Sequence, residues 1–348
     1  MSGLDRGVAG MVGRLMAGGA EDPWTAPPVD LIGVCDEAAA RIAAYTRLTP
    51  VGELPPPEWI DRGTWIDLNV EVLAPAVEGP LLRAGGRFAS LEGPLQSMLG
   101  AVAGAEAGLV TGLLAQRVLG QVEPGLLRDD EDHVTRMVLV APNLKAVART
   151  LDVPEPDLVR WVAVHELTHA IQFASVPWLK PELNRLVREL MSTLELRLDA
   201  RSLLRLPNLG DARALLDLVR GGDLLTAFAG EQAREVLDRV QGLMGLIEGH
   251  AEHVMDAVGV EVVDDLDRLR TALDARREAE RSPLEMLLSR LLGLDEKLRQ
   301  YGEGRAFCDA VVASGGRRAL RRAWDDPASA PTRAELGTPE AWLARIGV

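Results

Sequence analysis

The sequence predicts an α+β protein, predominantly α-helical, with a small antiparallel sheet in the middle of the chain. Apolar residues recur at helical spacing on both sides of the centre. Between them, two short β-branched runs, Val118 to Val122 and Arg136 to Val140, flank an acidic loop at Asp129-Asp130-Glu131-Asp132 and read as antiparallel neighbours. The 348 residues are 47% hydrophobic and 26% charged, which is enough apolar material for a sizeable core and excludes collagen-like, disordered and disulfide-scaffold classes.

Taken in order, residues 1–30 are rich in Gly, Ala and Pro without a period, so a flexible leader is expected there. Residues 31–115 form an N-terminal helical region. Val34 to Tyr45 places Ala38, Ile42 and Tyr45 on one side, Pro55-Pro56-Pro57 marks a connection, and Trp59 to Ala76 carries Trp65, Leu68 and Val72 at helical spacing. Leu91 to Leu119 reads as a long central helix packed through small residues. Its most apolar part, Met98 to Leu114, contains Glu106 in the middle, which argues against a membrane span. Residues 116–348 form the catalytic region, packed with the N-terminal helices as one unit. The strand at 136–140 is apolar throughout, as a covered strand should be. From Pro156 onward the pattern is helical, broken at Pro177, Pro207-Asn208, Gly221-Gly222 and Pro283.

The formal net charge is −14, so the surface repels phosphate backbones and anionic lipid; nucleic acid and membranes are not expected partners. The bias to Arg over Lys, with abundant Ala and Gly, fits a GC-rich bacterial genome. Cys35 and Cys308 are too few and too distant for a secreted disulfide framework and read as reduced, buried thiols. The N-terminus lacks an export signal's Leu-rich stretch, which points to a cytoplasmic protein.

Within this background sits Trp161-Val-Ala-Val-His165-Glu166-Leu-Thr-His169-Ala-Ile-Gln-Phe173. Residues four apart lie on one face of a helix, so His165 and His169 can present both imidazoles to one ion. Glu166, rotated by one residue, lies beside the ion, where it can take a proton from an activated water and pass it to a leaving group. Imidazole ligands and an open coordination position favour zinc. Only five histidines occur in the chain, so the pattern is specific. Pro154, Pro156 and Asp157 mark a helix start, and Trp161, Val164, Leu167 and Ile171 supply an apolar stripe.

A third ligand must come from elsewhere. The position ten residues after the first histidine is Ser175, which excludes a third histidine there. The stretch Ile247-Glu248-Gly-His250-Ala-Glu252-His253-Val-Met-Asp256 places Glu248, Glu252 and Asp256 along one flank of a helix, with His250 on the opposite flank and His253 pointing away from the core. Glu248 is the chosen ligand, Glu252 stands behind it to hold a histidine N–H, and His250 is the alternative.

These residues carry a family resemblance. His165-Glu-Leu-Thr-His169-Ala-Ile-Gln-Phe173, preceded by Val-Ala-Pro142-Asn143-Leu and followed by Leu-Ile-Glu248-Gly, resembles the bacterial zincin-like hydrolases, many of them described as zinc-dependent metalloproteases. A branch common in actinobacteria is associated with biosynthesis of a deazaflavin coenzyme. Leu292-Gly-Leu-Asp-Glu-Lys297-Leu-Arg-Gln-Tyr301 and Pro331-Thr-Arg-Ala-Glu335 also fit, so the resemblance runs from about Leu31 to Ile346. It implies a zincin-like catalytic core, a zinc site at His165 and His169, and Glu166 as catalytic carboxylate. The 79 residues from His169 to Glu248 depart from the familiar glutamate-ligand peptidases, where the spacing is much shorter.

The expected function is a zinc-dependent hydrolase, foremost a metallopeptidase acting on a peptide, with the 136–140 strand as the candidate edge for an extended substrate. A catalytically silent zincin-like binding scaffold and a hydrolase of a non-peptide amide are the alternatives. Tyrosine is scarce, and Tyr301, placed before Gly302 and Gly304 where the chain could turn toward a cleft, is the candidate for stabilising the oxyanion. Its competing reading is a helix-end residue held by packing.

Overall fold

The computed structural model describes residues 4–18, 25–87, 94–126, 134–195, 224–279 and 301–348. These fall into two compact units, each built from non-contiguous stretches: Met1–Ala39, Glu53–Ala170 and Gly259–Arg276 in one, Ala40–Gly52, Ile171–Val258 and Arg277–Val348 in the other.

The first unit holds the sheet, with strand order β1-β3-β2. β3 (Arg136–Val140) is central, and Met137 to Val140 are fully buried, as the all-apolar run requires. β2 (Gly120–Glu123) pairs antiparallel with it, Gly120 opposite Leu139, as expected. β1 (Pro57–Ile60) pairs parallel on the other side, so the sheet is mixed where an antiparallel one is expected. Arg136 fixes that register through two hydrogen bonds, 2.8 and 2.6 Å, to the Glu58 carboxylate. The 136–140 run is therefore not an edge, and the edges are β1 and β2.

Three helices cover this sheet region: α1 (Arg6–Met16), α3 (Arg62–Arg87) and α4 (Pro94–Ala115), with α2 (Leu31–Thr46) beginning in the same unit. α1 lies within the stretch 1–30 where a flexible leader is expected. It starts at Asp5, whose side chain accepts the Val8 N–H, and buries Ala9, Gly10 and Gly13. Its backbone runs so close to α4 that a Cβ on Gly108 would overlap the Ala9 carbonyl oxygen. The Trp59–Ala76 helix of the sequence reading starts at Arg62, because β1 occupies the preceding residues, and the long central helix ends at Ala115. Ala9, Trp65, Ile66, Val70, Val138 and Val140 share the core of this unit. α5 (Ala141–Leu151) follows β3 directly, then α6 (Glu155–Ser175); α9 (Leu266–Ala279) returns to the unit, where Arg268 binds Asp152 and the Arg270 guanidinium sits 5.2 Å from the Trp161 ring centre.

The second unit is helical: α7 (Leu179–Glu195), α8 (Leu224–Val258), α10 (Tyr301–Arg321), α11 (Arg333–Leu336) and α12 (Pro339–Ile346). α8 and α10 cross in backbone contact, with Gly245 and Gly249 against Gly304. α10 bends at Gly316, whose φ of 74° suits glycine. Phe307 and Trp342 meet edge to face at 5.2 Å in the core. Pro177 does separate α6 from α7, whereas Pro207-Asn208, Gly221-Gly222, Pro283 and the acidic loop lie outside the described residues. Cys35 and Cys308 are free and buried, and burial, with Asp36 adding to it, pushes the Cys35 thiol up to about 12. Among the described residues, no helix is long and apolar enough to cross a membrane.

Candidate metal centre

α6 carries the centre. Glu155 and Asp157 fill its first turn, favourable to the helix dipole, and Asp157 pairs with Arg160 at 3.0 Å. The helix is then buried on nearly every side: Leu158, Val159, Val164, Leu167 and Ile171 are at most 2% exposed. Polar groups in such a helix need a reason to be there. His165 and His169 sit one turn apart with their rings perpendicular and their Nε2 atoms 3.2 Å apart. Two nitrogens bound to one tetrahedral zinc lie about 3.3 Å apart, so this pair fits a shared ion.

Glu248, partly buried on α8, completes the group: one ligand atom each from His165, His169 and Glu248 lie within 4.8 Å of one another. Two imidazoles and a carboxylate, with a position left open, are the donor set of a catalytic zinc. The fully buried Gln172, three residues after His169, donates from Nε2 to the Ile247 carbonyl at 3.0 Å and to His250 Nδ1 at 2.9 Å. These bonds hold the turn of α8 that carries Glu248. They also engage one ring nitrogen of His250, which stacks edge-on against Trp324 at 5.1 Å and is not in the metal group. Glu252 lies one turn beyond Glu248 and is partly buried. His253 does not point away from the core: it is buried, its Nε2 shares a hydrogen bond with the Tyr45 hydroxyl at 2.8 Å, and its Nδ1 donates to Asp309 Oδ1 at 2.6 Å. Burial raises the Tyr45 pKa against the opposing charge of Arg317.

Glu166 is 8% exposed and lies against Gly120 at the start of β2. Asn143 sets the course of the chain there. Its Nδ2 donates to the Ala115 and Val118 carbonyls at 2.8 and 2.7 Å, and its Oδ1 accepts from Arg62 at 2.7 Å, so the end of α4 is stitched to the start of β2. Tyr301 is the first residue of α10, and its side chain lies outside what is described. Gly302 and Gly304 are helical rather than the turn that the sequence suggested, with Gly304 in the crossing against Gly249, next to Glu248.

Sequence reasoning missed Gln172 and Gly120. A polar residue one turn past His169 in an apolar run, and a glycine opening a strand, were the available signals.

Comparison with known proteins places these features in context. The family model described as zincin-like metallopeptidase matches residues 6–343. The chain is similar to a crystal structure from Chloroflexus aurantiacus, described as a candidate hydrolase with a novel fold, at 25% identity over 99% of both chains with a TM-score of 0.67. A search of curated proteins finds no match.

Proposed function

Because the chain belongs to the zincin-like metallopeptidase family, we propose that it is a zinc-dependent hydrolase that cleaves peptide bonds in the cytoplasm. The observation that carries the reading is the pair of Nε2 atoms 3.2 Å apart on one buried helix, with Glu248 in the same group. His165, His169 and Glu248 would hold the ion, and Glu252 would orient a histidine ring. When bound, zinc supplies a Lewis acid and lowers the pKa of water toward neutrality.

Glu166 moves the proton: its carboxylate accepts one from the attacking water and delivers it to the leaving amine. Its burial excludes bulk water from that transfer. β2 replaces 136–140 as the edge for an extended substrate. The Val140 N–H donates to the Leu119 carbonyl at 2.9 Å, so alternation turns the Gly120 N–H and C=O away from β3, toward the outer side of β2. Tyr301 is the proposed oxyanion donor. The acidic surface keeps nucleic acid and anionic membranes out of the partner set.

Metal analysis of protein purified without a histidine tag tests the reading. About one zinc per chain is expected, lost in His165→Ala and His169→Ala and kept in Glu166→Gln, which should lose turnover of a peptide library. Wild-type protein that binds no divalent transition metal at neutral pH refutes it.

A further inference from the structure

Glycine weakens a strand interior, so one at the first position of β2 invites a reason. The reason lies across from it on α6. A Cβ built on Gly120 would come 2.7 Å from Glu166 Cγ, 3.0 Å from Glu166 Oε1 and 2.9 Å from Val162 Cγ1. Carbon atoms attract at about 3.5–4.0 Å, so each of these approaches is repulsive. Val162 and Glu166 are four apart, hence on one helix face, and both are nearly buried. Val162 is β-branched and confined to one rotamer in a helix, so it cannot swing aside. Glu166 is the longer and freer side chain, so it is the one that must yield.

We propose that Gly120 is a positioning residue: the absence of a side chain there sets where the Glu166 carboxylate lies. This inference rests on the hydrolase reading for its consequence, since the carboxylate so placed is the proton carrier. It adds a determinant outside the motif, on a strand 46 residues earlier in the chain. A misplacement of about 1 Å in a reacting group costs on the order of 10²-fold in rate. The metal-binding side chains supply none of the three atoms nearest the added methyl, so full zinc content is expected.

The experiment compares wild type, Gly120→Ala, Val162→Ala and the double variant Gly120→Ala/Val162→Ala in the zinc-loaded full-length protein. Crystal structures locate the Glu166 carboxylate, metal analysis counts zinc, and peptide turnover is resolved into kcat and KM. In Gly120→Ala the carboxylate should be displaced, kcat should fall roughly 10²-fold, and KM should stay within about threefold with full zinc content. Val162→Ala alone should keep turnover. The double variant, in which Glu166 supplies both of the remaining nearest atoms to the methyl, should fold and still show the kcat loss. Adding Gly120→Ala to Glu166→Gln should lower residual activity by no more than about twofold, because the two changes act through one group. A Glu166 carboxylate superposing on wild type in both alanine variants, or an unchanged kcat, overturns the proposal. If wild type cleaves no peptide, the peptidase reading falls, and the carboxylate position alone decides whether Gly120 sets it.

Discussion

Replacing Gln172 with leucine tests how the metal group is held together. Gln172 is fully buried, and both hydrogens of its amide are used, on the Ile247 carbonyl at 3.0 Å and on His250 Nδ1 at 2.9 Å. Leucine is close in volume, so the change removes the two donors without opening a large cavity. A buried acceptor stripped of its partner costs about 1–3 kcal/mol, and Ile247 keeps its helical bond, so the sum should be about 2–4 kcal/mol. The consequence for the ion follows from position. Ile247 precedes Glu248, and the lost bond is the one that fixes that turn against the end of α6. A supporting hydrogen bond of this kind is worth roughly 10- to 100-fold in metal affinity. Urea unfolding of the metal-free protein measures the first quantity, and competition against a zinc chelator measures the second. Stability within about 0.5 kcal/mol of wild type would contradict the hydrogen-bond argument. An unchanged zinc Kd alongside a real loss of stability would refute the coupling to Glu248.

Glu248→Ala should weaken zinc binding well beyond the roughly 10- to 100-fold expected of Glu252→Ala, and the reverse ranking in a chelator titration would exclude Glu248 as ligand. Tyr301→Phe should lower kcat by roughly 10²-fold with zinc content and Tm nearly unchanged; full turnover in that variant removes Tyr301 from the mechanism. Tyr45→Phe takes one hydrogen bond from buried His253 and should cost about 1–2 kcal/mol in urea unfolding, with no effect on zinc; a loss of zinc would mean that His253 serves the metal group. The hydrogen bond from Arg185, with charge from Arg239 adding to it, lowers the Glu182 pKa against its burial. A lowered folded-state pKa stabilises above the unfolded value of about 4.3 and loses that contribution as pH falls through the folded one. The stability gap between wild type and Glu182→Gln should therefore be present at pH 6 and close in acid. A gap that persists at pH 2 contradicts the assignment.

The residues that were legible in the sequence are those whose spacing alone has meaning. His165, Glu166 and His169 acquire their relation from helical geometry, and the apolar residues around them made that helix plain. β3 was legible because four consecutive apolar residues cannot be a half-exposed strand. β1 was not: it is four residues long, opens with a proline, and pairs in parallel with a partner 80 positions away, so no hairpin signal announces it. α1 was hidden for a different reason. Its buried face is Ala9, Gly10 and Gly13, whereas the larger Met11 and Leu15 stay exposed, so the side that packs carries no large apolar residue to mark it. The burial of His253 depends on Tyr45 and Asp309, 208 and 56 residues away, neither of which its own helix can reveal. Gln172 and Gly120 likewise take their roles from partners that only the folded chain supplies.

The interrupted course of the first unit bears on how the chain is made. Its three stretches end at Ala39, Ala170 and Arg276, so α6 leaves the ribosome well before the segment that supplies Arg268 to Asp152 and Arg270 to Trp161. At synthesis rates of about 5–20 residues per second, the intervening 88 residues (171–258) delay that segment by roughly 4–18 s. Throughout that interval a helix that is buried on nearly every side in the folded protein lacks part of its cover. A fragment that stops at Ala170 would keep the two histidines and remain in that unfinished condition, however complete its motif looks on paper.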